Sequence, residues 1–336
     1  MEKQIRVVDT TLRDGSHAMG HSYTEEQVKE IAGRLDDAGA FLIEISHGDG
    51  LSGSSLNYGF SEVEELRLIR SAASVVKKAR IGALLLPGIG TIEDLKRAGE
   101  AGISAVRIAT HVTEADIALQ HIREAKKMGL FTAGFLMMVH MAEPEEILEQ
   151  AKLFEDCGAD YVNLADSAGY LMPEDVRRRV EILKEHLTIP VGFHAHNNLS
   201  LAVANSIAAV EAGAEYIDCT LRGLGAGAGN CQEEVFAGCM ERMGIASGLA
   251  MEKVMDAAEE VLEPWMKRPQ VIDNASLMLG YAGVYSSFLL HARRAADRFG
   301  LKTSDILKEL GRRKMVGGQE DMIVDVAWQM KGGRLR

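Results

Sequence analysis

From residue 5 to about residue 244 the chain alternates short apolar, β-branched runs with longer stretches whose apolar residues recur at helical spacing. The runs are "IRVVDTT", "FLIEIS", "ARIGALLL", "AVRIAT", "FTAGFLMM", "YVNLAD", "VGFHAH" and "YIDCTL". The stretches between them include "TEEQVKEIAGRLDDAG", "TIEDLKRAGEAG" and "PEDVRRRVEILKEHL"; several open on an N-cap residue or proline and close on glycine. Repeated strand-helix units need parallel strands and right-handed crossovers, and eight of them suit a closed barrel better than an open sheet. The pattern predicts an α/β fold, a (β/α)8 TIM barrel, over residues 1–244. The glycines of "AGA", "AGI", "CGA" and "AGA" ahead of strands 2, 4, 6 and 8 are expected to be helix C-caps.

After residue 244 the alternation stops. "MEKVMDAAEEVLEPWM", "SLMLGYAGVYSSFLLHARRAADRFG" and "TSDILKELGRR" predict a C-terminal helical domain over residues 245–336. Its segment "LMLGYAGVYSSFLL" is more apolar than a solvated helix pair requires. It suits closure of the barrel mouth, partner docking or a homodimer contact.

Composition narrows the functional classes. With 49 acidic against 37 basic residues the formal net charge is -12, which opposes nucleic acid and anionic membrane surfaces. No apolar run is long enough to span a bilayer, and "MEKQIRVVDTTLRDG" lacks a signal-peptide pattern, so a cytoplasmic location is expected. Cys157, Cys219, Cys231 and Cys239 form no CxxC motif and are expected to be reduced thiols without chemistry.

In such a barrel the chemistry lies at the C-terminal ends of the strands. Those ends supply Arg13 and Asp14 after strand 1, Glu44 and Ser46 in strand 2, Asp166 and Ser167 after strand 6, and His194 and His196 in strand 7. Two histidines one residue apart in a strand point to the same face. Only strand 8 separates strands 1 and 7 around a closed barrel, so Asp14 can meet both imidazoles. One oxygen and two nitrogens leave open positions on a divalent cation, with Mn²⁺ or Co²⁺ suited. The same donors describe a non-haem iron oxygenase, which the α/β pattern disfavours; alone, a His-x-His also serves as a structural pair, and Arg13 and Asp14 as an ion pair. The tract "GLGAGAGN", residues 223–230, follows strand 8, where a dinucleotide fingerprint does not belong; it reads as a tight loop bringing backbone to the site. Leu84 and Leu86 share a face, as core or as walls of a substrate pocket.

The stretch "VVDTTLRDGSHAMGH", with "GFHAHNN", "GLGAGAGN" and "GYAGVYSSFLLHA", resembles the DRE-TIM metallolyase superfamily and, within it, the 4-hydroxy-2-oxovalerate (4-hydroxy-2-oxopentanoate) aldolases. "SHAMG" stands where the acyl-CoA-condensing relatives tend to carry glutamine. The resemblance implies a class II pyruvate aldolase that cleaves 4-hydroxy-2-oxopentanoate to pyruvate and acetaldehyde through a metal-stabilised pyruvate enolate. It implies Asp14, His194 and His196 as ligands of Mn²⁺, with Co²⁺ or Mg²⁺ as alternatives. Arg13 is implied as the enolate's cationic partner, His17 as the base and Tyr285 as a helper; substrate would meet Arg13, Ser167, His194 and Tyr285. Asn230 matches a metal-ligating asparagine of lyase relatives, and its role here stays open. The implied partner is an acylating acetaldehyde dehydrogenase, receiving acetaldehyde by substrate channelling in the catabolism of aromatic hydrocarbons. A Claisen-type acyl-CoA synthase or lyase, and a non-catalytic subunit, are the competing readings. From chemistry alone, retro-aldol cleavage needs a base for the 4-hydroxyl proton and positive charge beside the C2 oxygen; a neutral imidazole such as His17 suits the first, and Arg13 the second.

Overall fold

A computed structural model describes residues 5–286, 288–316 and 319–332. Eight parallel strands close in sequence order: β1 (Arg6–Asp9), β2 (Leu42–Glu44), β3 (Arg80–Leu85), β4 (Ala105–His111), β5 (Phe131–Met137), β6 (Tyr161–Asp166), β7 (Val191–Ala195) and β8 (Tyr216–Cys219). The seam is the β1–β8 pairing, with Val8 beside Asp218 and Asp9 beside Cys219. The (β/α)8 barrel read from the alternating pattern is therefore present. Each strand is short and buried on both faces, which is why it reads as a run of apolar residues and not as an alternation.

The outer helices start and stop where the side chains dictate. Thr24 and Gln27 form a capping box ahead of Glu25–Ala38, and Thr91 with Asp94 does the same for Ile92–Ala101. Gly39, Gly102 and Gly213 form left-handed C-caps before β2, β4 and β8.

Inside the barrel the layers differ in kind. The lower layer is apolar and aromatic, with Val8, Leu42, Ala105, Ala133, Tyr161 and Tyr216 packed together. Above it Glu44, Arg107 and Asp218 form a charged layer, and Leu84, Ala109, Phe135 and Ala165 an apolar patch.

After residue 244 the chain does two different things. Met251–Asp256 and the turn Ala257–Leu262 pack on Glu25–Ala38, and their apolar residues Val254, Ala257, Ala258, Val261 and Leu262 join the barrel's own core. A second core, including Leu279, Phe288, Ile306, Leu310, Ile323 and Val326, is built by Asn274–Ala282, Phe288–Phe299, Thr303–Arg312 and Met322–Met330. The helical stretch "SLMLGYAGVYSSFLLHARRAADRFG" is divided, because Asn274–Ala282 ends on the left-handed cap Gly283. Tyr285 therefore occupies the turn between two helices. Among the described residues no helix is long and apolar enough to cross a membrane.

Candidate active site

A cavity of about 480 Å³ opens over the C-terminal ends of the strands. Arg13, Asp14 and His17 face it from the segment after β1, His194 and His196 from β7, and Tyr285, Ser286 and Leu289 from the helical region. After β1 the chain turns into the short helix Gly15–Met19, which places Asp14 at its start and His17 within it. β7 stops at Ala195, so His196 lies one residue past the strand, where its backbone bridges Asn230.

The three expected ligands converge. Asp14 Oδ2 lies 3.2 Å from His194 Nε2 and 3.6 Å from His196 Nε2. The two imidazole nitrogens are 3.3 Å apart. Donors on one ion at about 2.1 Å would lie about 3.0 Å apart at octahedral right angles and about 3.4 Å apart at tetrahedral ones, close to the separations seen. Without a shared cation or proton, two nitrogen lone pairs and a carboxylate would repel one another here. The residues fit a divalent metal ion.

His194 is oriented from behind. Its neighbour across the β7–β8 pairing is Asp218, and Nδ1 lies 2.9 Å from Asp218 Oδ2. With Nδ1–H donated to that carboxylate, Nε2 carries the lone pair toward the cavity. The same Asp218 oxygen accepts from Arg107 Nη1. Arg107 also donates from Nε to Glu44 Oε1 at 2.7 Å, and Glu44 Oε2 accepts from Arg13 Nε at 2.7 Å. Arg107 is thus tied to the His194 and Arg13 sides at once.

Burial alone would raise these carboxyl groups, but their cationic neighbours win. Asp14 is held well below the usual range by Arg13, His196 and His194. Glu44 is lowered by Arg107 and Arg13, and Asp218 by Arg107 and His194. Burial lowers His196 to about 4, whereas the hydrogen bonds to Asp14 and Asp218 overcome burial and raise His194. Three carboxylates against two guanidiniums leave one negative charge, which a divalent ion converts to one positive charge. A monoanionic 2-oxo acid would then neutralise the site.

The other expected residues divide. Arg13 Nη1 lies 3.1 Å from Asp14, while the buried Nη2 has no partner among the described residues. The His17 ring stands edge-on to His21 at 5.1 Å. Tyr285 lines the cavity and its hydroxyl touches Met137 Sδ; burial raises its ionisation far above the ordinary tyrosine range, so the phenol remains a donor. Ser167 also faces the cavity, but its Oγ accepts from Met138 N at 3.1 Å. Leu84 and Leu86, with Phe135 and Met137, form an apolar wall. Asp166 accepts from the Tyr170 and Leu171 amides and shapes the loop after β6, while Ser46 Oγ donates to the His47 carbonyl. Asn230 donates to Leu224 O at 3.3 Å, under the glycine-rich loop whose Ala226 N–H donates to Asp14 Oδ1 at 3.1 Å. That loop does bring backbone to the site.

Arg107, Asp218, His47 and Asp49 were not singled out from the sequence. The signal available for the first two was a charge in the middle of "AVRIAT" and of "YIDCTL", since an ionised group inside a barrel strand must meet a partner.

Comparison with known proteins agrees in extent with this anatomy. The HMGL-like family matches residues 4–261, and the DmpG-like communication domain matches residues 270–332. The chain is 60% identical over 328 residues to the 4-hydroxy-2-oxovalerate aldolase of Moorella thermoacetica, covering 98% of this chain and 97% of that protein. It is 54% identical over 337 residues to the protein of that name from Geobacillus genomosp. 3, covering 100% of both. Among solved structures, the N-terminal domain of a putative aldolase from Bacteroides vulgatus superposes with a TM-score of 0.73 at 22% identity, over 85% of this chain and 95% of that one. The carboxyl transferase domain of Rhizobium etli pyruvate carboxylase superposes with a TM-score of 0.81 at 15% identity, over 98% of this chain and 61% of that one; at such identity the likeness concerns the fold.

Proposed function

The chain belongs to the 4-hydroxy-2-oxovalerate aldolase family and is a carbon–carbon lyase, and on that premise we propose that it cleaves 4-hydroxy-2-oxopentanoate to pyruvate and acetaldehyde with a divalent cation held by Asp14, His194 and His196. The observation that carries the reading is the meeting of those three donors, with His194 turned toward the cavity by Asp218. When bound, the cation supplies Lewis-acid charge at the substrate's 2-oxo acid end. Mn²⁺ is the proposed metal, with Co²⁺ or Mg²⁺ as substitutes, because the donors mix imidazole with carboxylate.

The chain's own residues perform the rest. Arg13, clamped by Glu44 and Asp14, offers its unpartnered Nη2–H to the C2 oxygen. That oxygen gains negative charge as the C3–C4 bond breaks and its electron pair enters the enolate. His17 takes the proton from the 4-hydroxyl, so the departing fragment leaves as acetaldehyde. Tyr285 donates a hydrogen bond to the oxygen that becomes the aldehyde carbonyl, and return of a proton to C3 completes pyruvate. Ser167 contributes through its backbone and position at the cavity wall, while Leu84 and Leu86 face the methyl end.

We further propose that the barrel carries the chemistry and that the helices after residue 244 close its mouth and seat an acylating acetaldehyde dehydrogenase, with acetaldehyde passed internally. The match to a communication domain and the exposed Met322, Val324 and Trp328 on its last helix support this reading. A homodimer contact on the same region, a cytoplasmic location and a place in aromatic-compound catabolism belong to the same proposal. The test is pyruvate release from 4-hydroxy-2-oxopentanoate by metal-free and Mn²⁺-loaded protein, beside His194→Ala with its metal content measured. Metal-independent release, or full metal content and turnover in the variant, would refute the assignment.

A further inference from the structure

We infer a second cation site in the same cavity, made by His17, His21 and Asp49 and suited to a borderline divalent ion such as Zn²⁺, whose occupation withdraws His17 from the substrate. It shares no residue with the Asp14 site. One ligand atom from each of the three residues lies within 4.8 Å of the others.

The bonding around Asp49 leaves it short of partners. Asp49 is 7% exposed, and its nominal ion pair is His47 Nδ1 at 3.5 Å. That nitrogen already accepts from the Asp49 amide at 3.1 Å, while His47 Nε2 lies 3.1 Å from the Gly59 carbonyl and must donate to it. His47 is therefore the neutral tautomer with its proton on Nε2, and it presents a lone pair, not a cation, to the carboxylate. No other donor among the described residues bonds Asp49; burial raises its ionisation, and the Arg13 charge acting through space only partly offsets that.

His21 is held on more than one side of its ring. Nδ1 lies 3.1 Å from Ser16 Oγ, whose hydroxyl also reaches Arg13 O at 2.6 Å, and the ring hydrogen-bonds the Tyr58 backbone as well. A cation bound by His21 takes the place of one of these contacts. Stacking on His47, with ring centroids 3.8 Å apart, holds the ring in place. His17 presses against the turn that carries Asp49: a Cβ at Gly48 would lie 2.4 Å from His17 Nε2, so the approach needs glycine there. Two imidazoles and a carboxylate, with the cavity supplying open positions, form a donor set that zinc accepts.

The inhibitory consequence rests on the proposed role of His17 as base, whereas the binding does not. The experiment titrates Zn²⁺ into Mn²⁺-loaded protein by calorimetry, follows released Mn²⁺ by electron paramagnetic resonance, and measures turnover. One zinc per chain should bind without releasing manganese, with turnover falling in step. Asp49→Asn and, separately, His21→Gln should weaken that zinc binding by at least about tenfold, since loss of an outer-shell partner alone costs about 10–100-fold. Both should keep their manganese, with circular dichroism confirming the fold. The His194→Ala protein, impaired at the first site, should still bind zinc until Asp49→Asn is added. Zinc that displaces manganese one for one, or unchanged zinc affinity in both folded variants, overturns the second site. Manganese retained by His194→Ala would instead count against the first.

Discussion

Replacing Asp218 by asparagine tests how the site orients His194, the proposed metal ligand. The change is almost isosteric, yet it removes the charge behind the 2.9 Å contact to His194 Nδ1 and one of the two carboxylates on Arg107. A charge-assisted hydrogen bond is worth about 1.5–3 kcal/mol. At about 1.4 kcal/mol per decade that is roughly 10–150-fold in metal affinity. Lost charge and lost orientation must be separated, and Glu44→Gln does so. It removes one negative charge from the same buried network but bonds Arg13 and Arg107, not His194. Measured by free Mn²⁺ in electron paramagnetic resonance, Asp218→Asn should weaken the metal by one to two decades and Glu44→Gln by much less. Glu44→Gln should instead lower kcat, because Arg13 loses its clamp. Manganese affinity in Asp218→Asn within about threefold of the parent, or an equal loss in both variants, would refute the orientation argument.

Further outcomes follow from the same geometry. His17→Ala should lower kcat by about 10²–10⁴-fold while elemental analysis finds the metal retained, since the base touches the substrate and not the ion. Arg13→Lys should lose most activity as read by pyruvate release, because an ammonium cannot hold Glu44, Asp14 and the C2 oxygen in one plane. Burial raises the ionisation of both Asp9 and Glu233; Asp9 pushes Glu233 further up, whereas the hydrogen bond from Glu233 pulls Asp9 back to about 6. A carboxyl raised on folding contributes stability that is complete below its unfolded value, about 4, and is lost as pH climbs through the raised value, so melting scans should show Glu233→Gln losing less Tm than the parent between about pH 5 and pH 8. Co-expressed with the proposed acylating dehydrogenase partner, the protein should co-elute in size exclusion and shield acetaldehyde from an external trap; separate elution or complete interception would refute channelling.

The barrel was legible because a buried parallel strand is an apolar run and a crossover helix an amphipathic one, a contrast repeated eight times over. The meeting of Asp14 with His194 and His196 was legible through closure, which brings β1 and β7 within one strand of each other. The support behind them was less so: Glu44 could be noticed at a strand end, but only the register shows that His194 sits beside Asp218 and Leu84 beside Arg107. That Tyr285 lies in a turn was not legible, because "GYAGVYSSFLL" sits within a helical, largely apolar stretch and apolarity does not reveal that Gly283 adopts a left-handed cap. Met251–Asp256 looked like the start of a separate helical region because its period is helical; which core that period serves depends on the partner it meets. The cluster around Asp49 escaped notice because its members come from the segments after β1 and after β2, whose sequence spacing carries no geometric rule.

The position of Tyr285 ties the two ends of the protein together. The turn that holds it is tethered to the barrel on either side, through the Gly283 carbonyl on the His140 ring at 3.1 Å and through Ser286 Oγ on the Ser167 carbonyl at 3.2 Å. Its flanking helices carry the exposed Leu277, Tyr281 and Leu290. A protein seated on those helices that prefers one pose of the phenol must, by thermodynamic reciprocity, be bound more tightly when substrate favours that pose. The aldolase would then report its own occupancy to whatever rests on its outer face, and each ligand would set the affinity of the other.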